Sequence, residues 1–197
     1  MNIVLATGNP GKLEEFRALL SGRGLNLHSP DDLGLNLEVP ETGSTYLENA
    51  LLKARAFAGA SGMWALADDS GLEVEDLHGA PGLYSARYAP QQDASDRDRR
   101  RHLLKNLAGT PRPWKARFVC TAAAAGPEGE IIHARGICPG EIIPEERGDQ
   151  GFGYDAVFLL PSAGKTMAEL DPAEKNQLSH RSRAIRKLLP DLLRHRP

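Results

Sequence analysis

The amino-acid sequence predicts an α/β fold in which helices flank a mixed β-sheet. Residues 2–6 form an apolar segment. A glycine-bearing turn follows at once, and after it come apolar residues at helical spacing, namely Leu13, Phe16, Leu19 and Leu20. Two extended segments at 115–125 and 129–138 are separated by a Gly-Pro-Glu-Gly turn, which is typical of an antiparallel hairpin. Because a strand–turn–helix opening is typical of parallel sheets, the two observations together predict a mixed sheet.

The remaining elements are predicted from periodicity and from turn residues. A second helix starts at about Thr45, and a short strand at 63–67 ends at the Asp-Asp-Ser-Gly sequence of residues 68–71. A strand at 72–77, a charged helix at 93–107, a strand at 156–160 and a helix from about 179 follow. Since no internal repeat or linker is found, residues 1–197 are predicted to form a single domain, with two lobes that share the sheet and a cleft between them.

Composition excludes several classes of protein. Hydrophobic residues make up 41% and charged residues 25%, as in ordinary globular proteins, and the net charge of -2 disfavours a nucleic-acid-binding protein. No apolar run approaches the roughly 20 residues of a membrane span, and no secretion signal is recognised, so no membrane partner is predicted. Cys120 and Cys138 lack metal-ligand spacing and are interpreted as free thiols, which favours a cytoplasmic location.

The turn after the first strand is a candidate phosphate site. Unpaired backbone N–H groups and the dipole at a helix start attract anions, and the lysine adds a positive charge. The turn differs from the P-loop in its glycine spacing and in having Leu13 where the P-loop has a hydroxyl residue. A simple proline turn is an equally good interpretation. The residues of the turn are Thr7, Gly8, Asn9, Pro10, Gly11 and Lys12.

Carboxylates in the first half of the chain are candidate Mg²⁺ ligands. Asp68 and Asp69 face opposite ways if they lie on a strand, and Asp69 is favoured as the working residue, although Asp-Ser-Gly is also ordinary turn sequence. Glu41 lies in a loop, whereas Glu48 has a structural role in a Thr45-x-x-Glu48 capping box. Lys53 lies on the polar face of the second helix, where it can reach a phosphate or stay in solvent.

Two segments near the carboxyl end are candidates for binding a nucleotide base. Phe152, flanked by glycines, can stack on a base, and an ordinary loop is the alternative. Hydrogen-bond donors near the last helix suit an oxygen acceptor, with a Ser179 helix cap as the alternative. The charged run at 96–101 is interpreted as a solvated helix face. The candidate residues are Phe152, Gly153, Tyr154, Asp155, Lys175, Ser179, His180 and Arg181.

Taken together, these segments resemble the ITPase family, the non-canonical purine nucleoside triphosphate pyrophosphatases, which are also called XTP/dITP diphosphatases. The similarity extends from residue 3 to the last helix. The matching segments are Thr7-Gly8-Asn9-x-x-Lys12, Thr45-x-x-Glu48-Asn49-Ala50-x-x-Lys53-Ala54, Ala67-Asp68-Asp69-Ser70-Gly71-Leu72, Gly79-Ala80-Pro81-Gly82-x-Tyr84-Ser85-Ala86-Arg87-Tyr88, Gly151-Phe152-Gly153-Tyr154-Asp155, and Lys175 with Ser179-His180-Arg181.

The resemblance implies an elongated two-lobed fold with a long twisted mixed sheet, an active-site cleft between the lobes, and a homodimer. It implies hydrolysis of dITP, ITP and XTP to the monophosphate and pyrophosphate, with Mg²⁺ as cofactor. Asp69 is then the catalytic residue and, with Glu41, a metal ligand. Substrate contacts are expected from the turn at 7–12, Lys53, Ser70 and the aromatic segment, and from donors to the purine 6-oxo group at Lys175, His180 and Arg181.

Three alternatives remain at this point. A Maf-like nucleotide pyrophosphatase has a related architecture, but its opening loop is rich in serine and arginine, unlike residues 7–12. A non-catalytic nucleotide sensor binds the triphosphate unchanged, and Asp69 and Glu41 argue against it. A nucleic-acid-binding module is disfavoured by the net charge.

Overall fold

The computed structural model describes residues 1–195 and contains a mixed sheet flanked by helices. Its strands are β1 (Asn2–Leu5), β2 (Asn26–His28), β3 (Trp64–Val74), β4 (Trp114–Ala125), β5 (Ile131–Ile142), β6 (Phe158–Leu160) and β7 (Lys165–Thr166). Its α-helices are α1 (Pro10–Leu20), α2 (Tyr46–Ser61), α3 (Asp96–Leu107), α4 (Pro172–Leu178) and α5 (His180–Leu193). Short 3₁₀ helices lie at Asp31–Leu33, Glu75–Leu77, Gly82–Arg87, Asp155–Val157 and Met167–Glu169.

The strand order in the sheet is β2-β1-β3-β4-β5-β6-β7. Strand β1 is parallel to both β2 and β3, while β6 is antiparallel to β5 and β7. The predicted mixed sheet is therefore confirmed, and its parallel part contains the strand–turn–helix unit at the start of the chain.

Local sequence explains where the helices begin. The Asn9 side chain caps α1 and Pro10 takes its first position, where the missing N–H costs nothing. Thr45 caps α2 by accepting a hydrogen bond from the Glu48 N–H. The Glu48 carboxylate accepts from the hydroxyl and the N–H of Ser44, and hydrogen bonds from Ser44 and from the Thr45 N–H lower the pKa of Glu48.

The predicted bounds of three strands are wrong. Strand β3 runs without interruption through residues 68–71, which were predicted to end it, and it stops at Val74, so residues 75–77 of the strand predicted at 72–77 form a 3₁₀ helix. The predicted strand at 156–160 is a 3₁₀ turn followed by the three residues of β6. The last helix begins at His180, within one residue of the predicted start, whereas Lys175 lies on a separate helix, α4, whose carboxyl end is capped by Ser179. In the strands, the contacts of buried side chains override local turn preference.

The chain divides into two compact units. The first comprises Met1–Asp69, Cys120–Gly136 and the chain from Arg181, and the second comprises Ser70–Val119 and Ile137–His180. In the first unit, Ile3 and Leu5 of β1 are buried in one apolar cluster, and Val4 of β1 is buried in another with Ala6, which follows the strand. In the second unit, Leu103 and Leu107 of α3 belong to a cluster with Phe118.

Candidate active site

The phosphate turn is an exposed helix start whose shape is fixed by its own side chains. The Lys12 N–H donates to Asn9 Oδ1 at 3.0 Å, and the Asn9 N–H donates to Thr7 Oγ1 at 3.2 Å. Gly8, Asn9 and Pro10 are exposed. A Cβ at Gly8 would have no neighbouring atom within 4 Å, so there is open space beside the backbone for a ligand. An exposed helix start of this kind suits an anion such as phosphate.

Asp68 is the centre of a buried ionic network in the first unit. Lys12 Nζ lies 3.0 Å from Asp68 Oδ1, while Arg181 donates to Asp68 Oδ2 from Nε at 3.2 Å and from Nη2 at 3.0 Å. Arg181 also bonds Glu15. Although burial acts to raise it, these positive charges hold the pKa of Asp68 well below its usual range. Asp68 is therefore an ionised structural anion that anchors Lys12 beside the phosphate turn.

Asp69 accepts a hydrogen bond from a side chain on α2, whereas Asp68 bonds Arg181 on α5. Asp69 Oδ2 accepts this hydrogen bond of 2.9 Å from Asn49 Nδ2. Burial raises the pKa of Asp69, and the negative charge of Glu41 adds to this shift, while Lys53 and the Asn49 hydrogen bond oppose it. Asp69 is thus a partly desolvated carboxylate whose protonation responds to its surroundings, which is a property suited to proton transfer.

Glu41 and Lys53 complete this part of the site. Lys53 Nζ lies 2.7 Å from Glu41 Oε1, so the lysine is paired and does not simply extend into solvent. Both groups act electrostatically on Asp69. Ser70, which follows Asp69 in β3, is half-buried and is the first residue of the second unit. The charge of Asp69 therefore interacts with those of Glu41, Lys53 and Lys12, all within the first unit.

The carboxylates of Glu41 and Asp69 are candidate ligands for a divalent cation. Within residues 1–195, no group of three or more His, Cys, Asp or Glu side chains is arranged to hold a metal ion. Mg²⁺ does not need such a group, because it binds through one or two carboxylates, water molecules and substrate phosphates. The mutual repulsion of Glu41 and Asp69 is also what a cation relieves. These two residues therefore fit Mg²⁺, whereas Glu48 is engaged with Ser44.

A second cluster, in the second unit, is built around the aromatic segment. Lys175 Nζ lies 2.7 Å from Asp155 Oδ2, and both side chains are buried. The same Asp155 oxygen accepts from the Phe152 N–H at 3.0 Å, and Lys175 Nζ lies 5.0 Å from the centroid of the Phe152 ring. Gly151 has a φ of +77°, and a Cβ there would lie 2.2 Å from Asp155 Oδ2. Glycine is therefore required for this cluster to form.

Tyr154 and His180 are both buried by aromatic or backbone contacts. The Tyr154 hydroxyl donates to the Ser85 carbonyl at 2.9 Å, and burial raises the pKa of Tyr154. The His180 ring stacks on Phe118 with ring centroids 4.7 Å apart. Ser85 lies in a matched sequence segment to which the sequence analysis assigned no role. Here it supports Tyr154 and, through its hydroxyl, accepts from the Leu72 N–H at 2.9 Å.

The structure does not support the base contact predicted for Arg181. The residue is 1% exposed, and its guanidinium bonds Asp68 and Glu15 in the first unit. The physical reason is that Asp68 is fully buried and requires an opposite charge, which Arg181 supplies. The base contact expected from His180, whose ring stacks on Phe118, stays a prediction.

The charged helix α3 contributes contacts that the sequence analysis missed. Asp96 Oδ2 accepts from the Gly153 N–H at 2.7 Å, and Arg100 Nη1 donates to the Gly153 carbonyl at 2.8 Å. The face predicted to be solvated therefore binds the aromatic segment. The available signal was the spacing of Asp96 and Arg100, four residues apart and so on one side of the helix. That signal does not indicate which partner they bind.

Comparisons with known proteins show which family and which fold the chain resembles. The sequence model described as the Ham1 family matches residues 3–191. The dITP/XTP pyrophosphatase of Synechocystis sp. is 49% identical over 189 residues, covering 95% of this chain and 93% of that protein. The corresponding protein of Thermus thermophilus is 48% identical over 192 residues, covering 96% of this chain and 90% of that protein.

Solved structures are similar over the full length. The Ham1 protein of Staphylococcus aureus has a TM-score of 0.87 and 40% identity, with 100% of both chains covered. The HAM1 protein of Coxiella burnetii has a TM-score of 0.88 and 40% identity, covering 98% of this chain and 99% of that one. Fold and site thus define an α/β protein with a carboxylate–lysine cluster and an exposed helix start. The chain belongs to the Ham1 family, which confirms the resemblance found in the sequence.

Proposed function

We propose that this protein hydrolyses dITP, ITP and XTP to the nucleoside monophosphate and pyrophosphate, and so removes deaminated purines from the nucleotide pool. The observation that carries the proposal is the coupled cluster of Asp69, Glu41 and Lys53, in which a carboxylate with a raised pKa lies near a lysine and a second carboxylate. The names of the Synechocystis and Thermus relatives, dITP/XTP pyrophosphatase, support the choice of substrate.

The triphosphate is bound by the turn at residues 7–12 and by Lys53. The exposed α1 start offers backbone N–H groups and the positive end of the helix dipole. Lys12 adds a positive charge that Asp68 holds in place. The buried network under the turn, which includes Arg181, therefore keeps the turn and its lysine ready for an anion.

Mg²⁺ is the proposed cofactor, with Glu41 and Asp69 as its ligands. When bound, the ion offsets negative charge on the phosphates and increases the acidity of water. Asp69 accepts a proton from water as the water oxygen forms a bond to the α-phosphorus and the bond to the pyrophosphate oxygen breaks. The raised pKa of Asp69 makes it a better base than an exposed aspartate.

The base is bound in the second unit by Phe152 and Lys175. The Phe152 ring stacks on the purine, and the ammonium of Lys175, which Asp155 holds beside that ring, donates to the 6-oxo group. Adenine carries an amino donor at this position, so the lysine loses a partner when adenine binds. Unpaired buried polar groups give discrimination of about 10⁴–10⁵ in favourable cases.

A substrate panel tests the reaction. Purified protein is incubated with dITP, XTP, dGTP and dATP in the presence of Mg²⁺, and pyrophosphate and orthophosphate are measured separately. We expect pyrophosphate and monophosphate from dITP and XTP. Release of orthophosphate and diphosphate would contradict cleavage between the α- and β-phosphates. Binding of the triphosphate without turnover would instead indicate a nucleotide sensor.

A matched pair of variants tests the role of Asp69. We expect Asp69→Asn to lower turnover more than about tenfold, which equals about 1.4 kcal/mol in activation free energy. Glu48→Gln is the control, since Glu48 is exposed and bonds Ser44. Removal of Mg²⁺ with EDTA is expected to stop wild-type turnover, and added Mg²⁺ to restore it. Full activity after metal removal would rule out the proposed cofactor.

A homodimer and a cytoplasmic location are also proposed. The family resemblance supports the dimer, and the free thiols of the buried Cys120 and Cys138 support a reducing compartment. Within residues 1–195, the helices include none that is long and apolar enough to cross a membrane. Light scattering of the purified protein measures its mass, and a monomer at micromolar concentration would contradict the proposed dimer.

A further inference from the structure

Helix α3 binds both sides of the Gly153 residue in the aromatic segment. Asp96 Oδ2 accepts from the Gly153 N–H at 2.7 Å, and Arg100 Nη1 donates to the Gly153 carbonyl at 2.8 Å. Because these atoms belong to successive peptide groups, the two bonds fix the orientation of the backbone before and after Gly153. Its φ of +62° is a left-handed conformation that glycine adopts easily, and the helix selects it from the several conformations open to glycine.

Both bonds involve an ionised side chain that is itself held in place. Arg100 also donates to Glu146 Oε2 at 2.8 Å, and only 14% of its side chain is exposed. Although burial acts to raise it, the Gly153 N–H and Arg99 hold the pKa of Asp96 below its usual range. Charge-assisted hydrogen bonds are about twice as strong as neutral ones. The hydrogen bonds between α3 and the aromatic segment are therefore stronger than those that a solvated charged face would make.

The hydrogen bonds from α3 to Gly153 also restrict the backbone of the neighbouring Phe152. Its own N–H is bonded to Asp155 Oδ2 at 3.0 Å, and the peptide group that follows it is bonded to Asp96. The backbone is thus held on both sides of the one residue whose ring lies 5.0 Å from Lys175 Nζ. Stacking on a flat base depends strongly on ring orientation, so a residue that fixes this backbone also affects base binding.

We propose that Asp96 and Arg100 are positioning residues that hold Phe152 in its base-stacking orientation and so contribute to the choice of purine. This inference rests on the proposed function, because it assigns the aromatic segment to the base. The chemical step is assigned to Asp69 in the first unit. Loss of the α3 contacts is therefore expected to weaken substrate binding and base selectivity and to leave the chemical step largely intact.

The test compares variants on one helix. Arg100→Met removes the donor to the Gly153 carbonyl, and Asp96→Ala removes the acceptor for its N–H. Arg101→Met is the matched control, since Arg101 is an exposed arginine on the same helix. We expect either site variant to raise the KM for dITP about tenfold, which equals about 1.4 kcal/mol. The dITP-to-dATP preference is expected to fall, with kcat within about twofold of wild type. Arg100→Lys, which keeps one donor, is expected to recover part of the loss.

Amide hydrogen exchange gives a readout that does not depend on turnover. We expect the Gly153 amide to exchange faster in Arg100→Met and Asp96→Ala than in wild type and Arg101→Met, while strand β4 stays equally protected. Unchanged exchange at Gly153 in both site variants would overturn the positioning role, whatever the activity. A fall in kcat with KM and selectivity unchanged would overturn it as well. A wild-type protein that does not hydrolyse dITP would refute the proposed function instead, and the exchange result would still decide the positioning role.

Discussion

Replacing Arg181 with methionine removes one positive group from the buried network around Asp68. The guanidinium makes two hydrogen bonds to Asp68 Oδ2, at 3.2 and 3.0 Å, and a further bond to Glu15. Removing one partner of a buried ion pair costs about 3–5 kcal/mol, because the other charge stays buried without compensation. Lys12 still lies 3.0 Å from Asp68 Oδ1, so we expect the lower end of that range, about 3 kcal/mol.

Thermal and urea unfolding of Arg181→Met measure this loss. A chain of this size loses about 2–4 °C in Tm per kcal/mol, so we expect a decrease of about 6–12 °C. Methionine adapts to the space left by the arginine stem, which keeps the packing loss small. Arg101→Met is the control, because it removes a positive charge from an exposed position on helix α3. We expect that change to alter the free energy of unfolding by less than about 0.5 kcal/mol.

The pH dependence gives a second check on the same network. The folded-state pKa of Asp68 lies below its usual value of 3.8, so its ion pairs stabilise the fold fully above that value and less as the pH falls. Without Arg181, burial raises this pKa, and the deficit of the variant should shrink in acid. A variant as stable as wild type, but with altered preference between dITP and dATP, would refute this reasoning and restore Arg181 as a base contact.

Three further predictions concern single side chains. Asn49→Leu removes a hydrogen bond that favours the ionised form of Asp69, so the raised pKa of Asp69 rises further and the acid limb of kcat/KM moves to higher pH. An acid limb at the same pH in Asn49→Leu and in wild type would contradict this effect of Asn49 on Asp69. Gly151→Ala places a Cβ 2.2 Å from Asp155 Oδ2 at a φ of +77°, and a loss of about 1–3 kcal/mol in unfolding free energy is expected. Gly59→Ala, in open space on α2, should instead stabilise the fold by about 0.5–1 kcal/mol, and chemical denaturation measures both glycine changes.

The parts of the structure that the sequence predicts well are those specified by neighbouring residues. The strand–turn–helix at the start follows from an apolar run, an Asn-Pro cap and helical spacing, all within twenty residues. The hairpin of β4 and β5 follows from two extended segments and a turn, although both strands prove longer than expected. Local signals of this kind do not depend on where the rest of the chain lies.

The parts predicted badly depend on partners far along the chain. Asp68 looks like a turn residue until Arg181, 113 residues later, neutralises it in the middle of a strand. In the same way, Asp96 and Arg100 look like solvent-facing charges until Gly153, more than fifty residues later, supplies backbone groups for both. Charged residues are ambiguous in a sequence, because a carboxylate that faces water and one that faces a buried arginine have the same local neighbours.

The uninterrupted course of β3 has a consequence for what changes the chain tolerates. Asp68 and Asp69 are one step apart on a strand, so they point to opposite faces, and the pKa of Asp68 is lowered by its positive partners while burial raises that of Asp69. Inserting or deleting a single residue just before them exchanges the two faces, placing each carboxylate in the surroundings of the other. We therefore expect length changes in this strand to abolish folding or activity outright. Surface loops tolerate insertions and deletions, whereas strand β3 has to keep its number of residues.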